Sequence, residues 1–293
     1  MEKVKFAFAD GNGEDEFFIL EETKINGGGV LCSAFCEALA ECGASVAVLD
    51  LTVERAAATA DRIRAQGGQA LPLGADVLDR ESLQKALVQI EASFGAVDIL
   101  INGAGGNNPK AQTTKENLFP EDLDGGPDES VKTFFDLDPA GVNFVFNLNF
   151  LGTLLPTQVF AKELAKRSGT VINISSMNAF RPLTKIPAYS AAKSAVSNLT
   201  QWLAVHFSKV GVRVNAIAPG FFVTDQNRAL LYDADGKPTP RTDKILAHTP
   251  MNRFGEPSDL IGTLLYLCDA NASGFVNGTV IPVDGGFAAY SGV

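Results

Sequence analysis

The chain has little of what metal, disulfide or nucleic-acid chemistry requires. Its 293 residues include 2 histidines, 4 cysteines, 3 methionines and 1 tryptophan. His206 and His248 stand far apart, and no Cys or His spacing resembles a ligand set, which argues against a metal site. Cys32, Cys36, Cys42 and Cys268 fall in helix-like segments, the usage expected of reduced thiols in a cytoplasm. Cys32 and Cys36 share one helical face and read as packing residues. Positive charge is scarce as well. The formal net charge of −10 argues against nucleic acid or an anionic membrane as partner. It also means that an acidic substrate would need specific cations near its site. No apolar run reaches the ~18 residues of a membrane span, and Met1-Glu-Lys-Val-Lys-Phe6 lacks the apolar core of a signal peptide.

What is present is a regular alternation of strand-like and helix-like segments, the pattern of a parallel sheet covered on both faces. Apolar periodicity predicts helices over 30–42, 53–65, 80–94, 146–166, 188–210 and 257–268. Apolar runs predict strands over 45–49, 69–73, 97–101, 170–174, 212–217 and 279–283. The first strand is the least regular. Either a shortened strand lies within Phe17–Ile25, which we prefer, or Val4–Ala9 serves and Asp10–Asn26 is inserted. Two connections, Gly103–Ala140 and Gly220–Glu256, far exceed the usual loop of about 4–6 residues. Both leave carboxyl ends of strands, where ligands of open α/β sheets bind, so they read as lids.

Tyr189 and Lys193, in Pro187-Ala-Tyr-Ser-Ala-Ala-Lys193, stand on one helical face. An ammonium there can stabilise phenolate and make the tyrosine a general acid or base. Alone, that spacing is common. It gains weight from Ser176 at the end of an apolar strand, from Asn102-Gly-Ala-Gly105 after another, and from Asn149-Phe-Leu-Gly152 opening the helix before the Ser176 strand.

Together these motifs resemble the short-chain dehydrogenase/reductase family, from about Gly27 to the C-terminus. The resemblance implies one Rossmann-type, doubly wound α/β domain over 27–293, preceded by an atypical segment over 1–26. It implies a catalytic set of Asn149, Ser176, Tyr189 and Lys193. Tyr189 would exchange a proton with the substrate oxygen, and Lys193 would lower its pKa and hold the nicotinamide ribose. Ser176 would hydrogen-bond the reacting oxygen, with Ser175 as the adjacent competitor, and Asn149 would hold a water linking Lys193 to solvent.

Gly27-Gly-Gly-Val-Leu-Cys32 before a helix reads as a turn cradling a pyrophosphate, with Gly27, Gly28 and Leu31 at the cofactor. Asn26, Val30 and Cys32 fall where the family carries glycines, and Ile25 replaces a threonine. Asp50 ends the second strand, where a carboxylate accepts from the adenosine ribose and repels a 2′-phosphate, favouring NAD over NADP. By resemblance, Asp76 and Val77 would meet adenine, and Asn102 and Ala104 would line the cofactor. Pro219, Gly220, Phe222 and Thr224 would lie along the nicotinamide end.

The segment joining Ser176 to Tyr189 carries Arg181 and Lys185, and an Arg fork suits a carboxylate. Asn178 and Asn107, with Asn108, could read hydroxyls. The runs 173–207 and Gly220-Phe-Phe-Val-Thr224, with His248-Thr-Pro-Met251, resemble the mannonate oxidoreductase/fructuronate reductase branch. That implies an NADH-linked reductase of a keto sugar acid, D-fructuronate giving D-mannonate. Alternatives are a reductase of neutral sugars, polyols or other small ketones, and a catalytically silent dinucleotide-binding protein. Helices 146–166 and 188–210 match those that pair in family tetramers, so a homo-oligomer, tetramer or dimer, is expected. Trp202 reads as an interface or core residue.

Overall fold

Side chains of a strand alternate between the two faces of a sheet, and the strand Ser45–Asp50 shows that both faces here are covered. Val46 and Val48 enter one core cluster and Ala47 and Leu49 another, all fully buried. The computed structural model describes residues 16–20, 29–123, 130–223, 228–233 and 235–292. In chain order its elements are β1 (Glu16–Leu20), α1 (Gly29–Glu41), β2 (Ser45–Asp50), α2 (Val53–Ala65), β3 (Gln69–Gly74), α3 (Arg80–Ser93) and β4 (Ile99–Asn102). Then follow α4 (Pro139–Phe146), α5 (Gly152–Arg167), β5 (Thr170–Ile174), α6 (Pro187–Phe207) and β6 (Arg213–Pro219). The chain closes with α7 (Arg228–Leu231), α8 (Pro240–Ala247), α9 (Pro257–Cys268), α10 (Ala270–Ser273) and β7 (Val280–Val283).

The seven strands are parallel, in the order β3-β2-β1-β4-β5-β6-β7. Leu83, Ala86 and Ile90 of α3, Phe160 and Leu164 of α5, and Leu203 of α6 cover one face. Phe35 and Leu39 of α1, Ala60 and Ile63 of α2, and Leu260 and Leu264 of α9 cover the other. Each fully buried Phe or Leu of this kind contributes about 1.5–3 kcal/mol by leaving water. This is the doubly wound sheet. Its order reverses between β1 and β4, and the cleft beyond that switch point is where such folds bind ligands.

The first strand lies at Glu16–Leu20, starting one residue before the preferred span and stopping well short of Ile25. It pairs with β2 on one side and β4 on the other. It therefore holds the centre of the sheet. Val4–Ala9 and residues 21–28, with Gly27 and Gly28 among them, fall outside the described residues, and so does Thr224.

The long helix begins earlier than 146. Pro139 occupies the first turn, capped by the Asp138 side chain on the Ala140 amide, and the helix continues to Arg167 through one widened turn at Asn147–Leu151. Asn149 thus sits inside the helix instead of opening it. Taken together, Pro139–Arg167 is 29 residues long, enough by length and hydropathy to cross a bilayer. It holds no continuous apolar run of that length, since Asn143, Asn147 and Asn149 interrupt its apolar residues without breaking the helix. Half of its most apolar window is buried, with Phe160 and Leu164 against the sheet, which is the burial of a core helix. Trp202 is not in the core: it lies exposed on α6, stacked on His206 at 4.6 Å between ring centroids.

Candidate active site

The carboxyl ends of β4 and β5 are tied together by buried amides. Asn102 Nδ2 donates to Thr157 Oγ1 at 2.9 Å and to Asn173 Oδ1 at 2.8 Å, and Asn173 Nδ2 donates to Thr200 Oγ1 at 2.9 Å. This ladder joins two strands to α5 and α6 and fixes the floor of the cleft. Asn102 is thereby committed to the sheet; its Oδ1 is buried without a partner among the described residues. Ala104 and Val77 are buried against the start of α5 at Gly152.

The two serines after β5 divide sharply. Ser175 Oγ shares a 2.7 Å hydrogen bond with Ser197 Oγ and donates to the Lys193 carbonyl at 3.2 Å, so it fastens β5 to α6. Ser176 turns the other way. Its Oγ accepts from the Asn178 amide at 3.2 Å and is hydrogen-bonded to the Tyr189 phenol. Of the two serines, Ser176 is the one that meets the phenol.

Lys193 lies one helical turn beyond Tyr189, with its Nζ 5.8 Å from the phenol ring centroid. It is 3 % exposed, and its ammonium donates to the Ile174 carbonyl at 2.8 Å. Burial brings its pKa down from 10.5 to about 8, against a small upward pull from Cys32 on α1. No carboxylate among the described residues pairs with it. The sequence led us to expect a phenol pKa lowered by this lysine, but the direction is reversed: burial pushes Tyr189 up, and the Ser176 hydrogen bond only offsets it. The reason is that both groups are desolvated, which disfavours phenolate before the lysine charge can favour it.

Asn149 owes its position to the widened turn. Its Nδ2 donates to the Val145 carbonyl at 2.8 Å and to the Gly106 carbonyl at 2.7 Å, while its Oδ1 accepts from the Gly106 amide at 3.3 Å. The longer hydrogen-bond step of such a turn releases a carbonyl, and the Asn149 amide takes it up. Gly105 packs against the same side chain. A Cβ there would stand 2.8 Å from Asn149 Oδ1 and 3.0 Å from Lys193 Nζ, so only glycine lets the loop after β4 pass beside both.

Around this cluster, Asp50 ends β2 almost fully buried, its Oδ1 accepting from the Leu51 amide at 2.6 Å and Arg55 3.8 Å away. Burial nevertheless raises its pKa, outweighing the Leu51 and Thr52 amides and the Arg55 charge. Asp76 Oδ1 accepts from the Leu78 amide at 2.9 Å. Leu31 packs on the α1 core, and Pro219 and Phe222 are buried, Phe222 lying over Gly255. Gly220 is in tight contact with Asp284.

The residues expected to meet substrate scatter. Asn178 is buried with its Oδ1 unpartnered. Asn107 turns back on its own loop, its Oδ1 accepting from the Asn108 amide at 2.8 Å. Lys185 takes a left-handed backbone with φ of 71°, and its carbonyl accepts from the Thr113 amide. Arg181 is exposed and donates from Nε to the Ala288 carbonyl at 3.1 Å, in the wall of a recess shared with Arg241, Lys244 and His248. Sequence reading treated 220–256 as one loop and missed α8. The signal was Thr239-Pro240, an N-cap followed by proline at the first helical position.

A family model for short-chain dehydrogenases matches residues 25–234. The chain belongs to that family. It is therefore an oxidoreductase acting on alcohol and ketone groups. An uncharacterised oxidoreductase of Haemophilus influenzae is 58 % identical over 286 residues, covering 97 % of each chain. A crystal structure from Haemophilus influenza, provisionally assigned as a D-mannonate oxidoreductase and carrying bound NAD, is 56 % identical with a TM-score of 0.88 over 96 % of this chain and 97 % of that one. More distant relatives divide by substrate. A 2-dehydro-3-deoxy-D-gluconate 5-dehydrogenase of Dickeya dadantii is 33 % identical over 86 % of this chain and 88 % of its own, and a 7α-hydroxysteroid dehydrogenase of Escherichia coli 32 % over 84 % and 86 %.

Proposed function

We propose that the enzyme interconverts a keto sugar acid and its hydroxy acid with NAD(H), D-fructuronate and D-mannonate being the favoured pair. The observation that carries the reading is the Ser176–Tyr189–Lys193 cluster gathered at the carboxyl end of β5. Its lysine has hydrogen-bonding capacity left over and no counter-ion among the described residues.

The chain's own residues fit a nicotinamide dinucleotide. Lys193 holds one carbonyl with an ammonium that has three donors, which leaves two for ribose hydroxyls. Asp50 stands buried at the end of β2, where its carboxylate would accept from an adenosine ribose and repel a 2′-phosphate. The dinucleotide, when bound, supplies the hydride. During reduction Ser176 Oγ–H and Tyr189 O–H hold the substrate oxygen, and the Tyr189 proton moves to it as charge develops. During oxidation the same phenol oxygen takes the proton back. A phenol pKa raised by burial keeps Tyr189 protonated and ready to donate. The Ile174 carbonyl holds Lys193 one helical turn from the phenol.

Names of similar proteins favour a sugar acid, and the cations near Arg181 are consistent with one. The exposed face of α6 around Trp202 and Val205 supports a subunit contact. Turnover of NADH with a panel of keto sugar acids, neutral ketoses and steroid ketones tests the substrate class. Tyr189→Phe tests the acid: NADH binding by fluorescence should persist while turnover falls about 10²–10⁴-fold. Undiminished turnover in that variant overturns the mechanism, and equal turnover of neutral ketoses overturns the acid.

A further inference from the structure

Between the Arg181–Thr184 segment, Phe221 just past β6, and α8 lies a recess of about 320 Å³, at the lower end of small-molecule sites. Its Arg181–Thr184 wall belongs to the segment that leads from Ser176 to Tyr189. Three cations, Arg181, Arg241 and Lys244, line it together with one carboxylate, Glu116 from the long loop after β4. In a chain of net charge −10 this is a local reversal of sign. Glu116 forms an ion pair with Lys244, and that hydrogen bond holds its pKa below the usual carboxylate value, with Lys185 and Arg241 adding to the effect. Arg241 is exposed and makes no hydrogen bond to the described residues. The recess thus already binds one carboxylate, the protein's own, on Lys244, and two further cations, Arg181 and Arg241, line it.

Taking the keto sugar acid reading as given, we propose that α8 carries the acid specificity: Arg241 and Lys244, facing Arg181, bind the substrate carboxylate, which displaces Glu116 from Lys244. An Arg fork suits two carboxylate oxygens, and its flat geometry distinguishes them from a hydroxyl. The site lies on a capped helix, with Ile245 and Thr242 anchoring its inner face, so the cations are presented by a rigid element. Lys185, expected from the sequence to bind substrate, contributes charge from behind Glu116.

The test compares the KM and kcat of wild type and Arg241→Ala for fructuronate, neutral fructose and fructose 6-phosphate. Loss of a charge-assisted contact should raise KM for fructuronate about 10- to 100-fold, leaving its kcat within about twofold and both constants for fructose unchanged. Glu116→Gln removes the resident competitor and should lower KM for fructuronate. An equal change for acid and neutral sugar, no change at all, or a rise in KM with Glu116→Gln overturns the assignment. So does a wild-type preference for fructose 6-phosphate, which would make the recess a phosphate site. Wild-type enzyme that reduces no keto acid sinks the functional reading itself, and that result is distinct from an acid-active enzyme indifferent to Arg241.

Discussion

The catalytic cluster and the cationic recess share the segment between Ser176 and Tyr189, yet they are built on opposite principles. Ser176 and Lys193 are 8 % and 3 % exposed, Asn149 is fully buried, and the Asn149 and Lys193 polar atoms are tied to backbone groups of β5, α4 and the loop after β4. In the recess Arg181, Arg241 and Lys244 are exposed side chains contributed by two separate connections. Buried polar groups tolerate few arrangements because each unmet hydrogen bond costs about 1–3 kcal/mol. Exposed cations carry no such penalty and can be exchanged freely. On the proposed reading, the chemistry is held by the buried cluster and the substrate is chosen at the periphery. Relatives of similar identity acting on a sugar acid and on a steroid fit this division.

The sharpest way to break the comparison is to exchange roles within the cluster. Ser176→Ala removes a donor aimed at the reacting oxygen and should lower kcat about 10²–10³-fold with little change in Tm. Ser175→Ala should do the reverse, leaving turnover near wild type and costing about 1 kcal/mol of stability through the lost bonds to Ser197 and the Lys193 carbonyl. Steady-state kinetics and thermal denaturation on the two variants decide it. If Ser175→Ala is the inactive one, the serine assignment is wrong.

A smaller change probes how tightly the cluster is held. Gly105→Ala adds a methyl 2.8 Å from Asn149 Oδ1 and 3.0 Å from Lys193 Nζ. The lysine must move off the Ile174 carbonyl or the loop must lift. A shift of about 1 Å at a positioning group can cost about 10²-fold in rate. The expected outcome is a turnover loss of that order with a folded protein by circular dichroism. Activity within twofold of wild type would show that the cluster is as forgiving as the recess.

The same contrast explains what was legible in the sequence. Tyr189, Lys193 and Ser176 stand on a helix and at the end of a strand, where period and spacing fix geometry, so their convergence could be read directly. The strands over 45–49, 69–73 and 170–174 were likewise marked by short apolar runs, because both faces of a parallel sheet are buried. Asn149 was found, but its placement was not. A widened turn at Asn147–Leu151 has no apolar signature, and the helix start at Pro139 was hidden inside a long polar connection. Arg241 and Lys244 escaped because they meet Arg181 only through tertiary folding of two loops. The strand Glu16–Leu20 was legible only as a preference, since its short apolar run is followed by Glu21-Glu-Thr-Lys rather than by a glycine turn. The phenol pKa went astray for a different reason: charge proximity can be read from spacing, whereas desolvation cannot.

The mildest prediction concerns pH and isolates Lys193. Its pKa of about 8 in the folded enzyme lies below the unfolded value of 10.5, so between these values the unfolded chain binds the extra proton. Stability rises with pH wherever the unfolded state holds more protons, so this group alone makes the ligand-free enzyme more stable from about pH 8 to 10. Tyr189 does not oppose it there, because its raised pKa matters only above the ordinary phenol range near 10. Dinucleotide binding should run the other way. The ammonium is the better donor to ribose hydroxyls, so NADH affinity should fall about threefold to tenfold as pH rises through 8, a fraction of the roughly 1.4 kcal/mol that one pKa unit represents. Asn149 and the Ile174 carbonyl do not titrate and Tyr189 is pushed above its ordinary range, so Cys32 is the neighbour to control for, by Cys32→Ser. Lys193→Arg, charged at every accessible pH, should flatten both curves. NADH titrations and denaturation midpoints at half-unit intervals from pH 6.5 to pH 10 check the pair, and an affinity that stays level across pH 8 in the wild type would mean that the buried cation does not meet the cofactor.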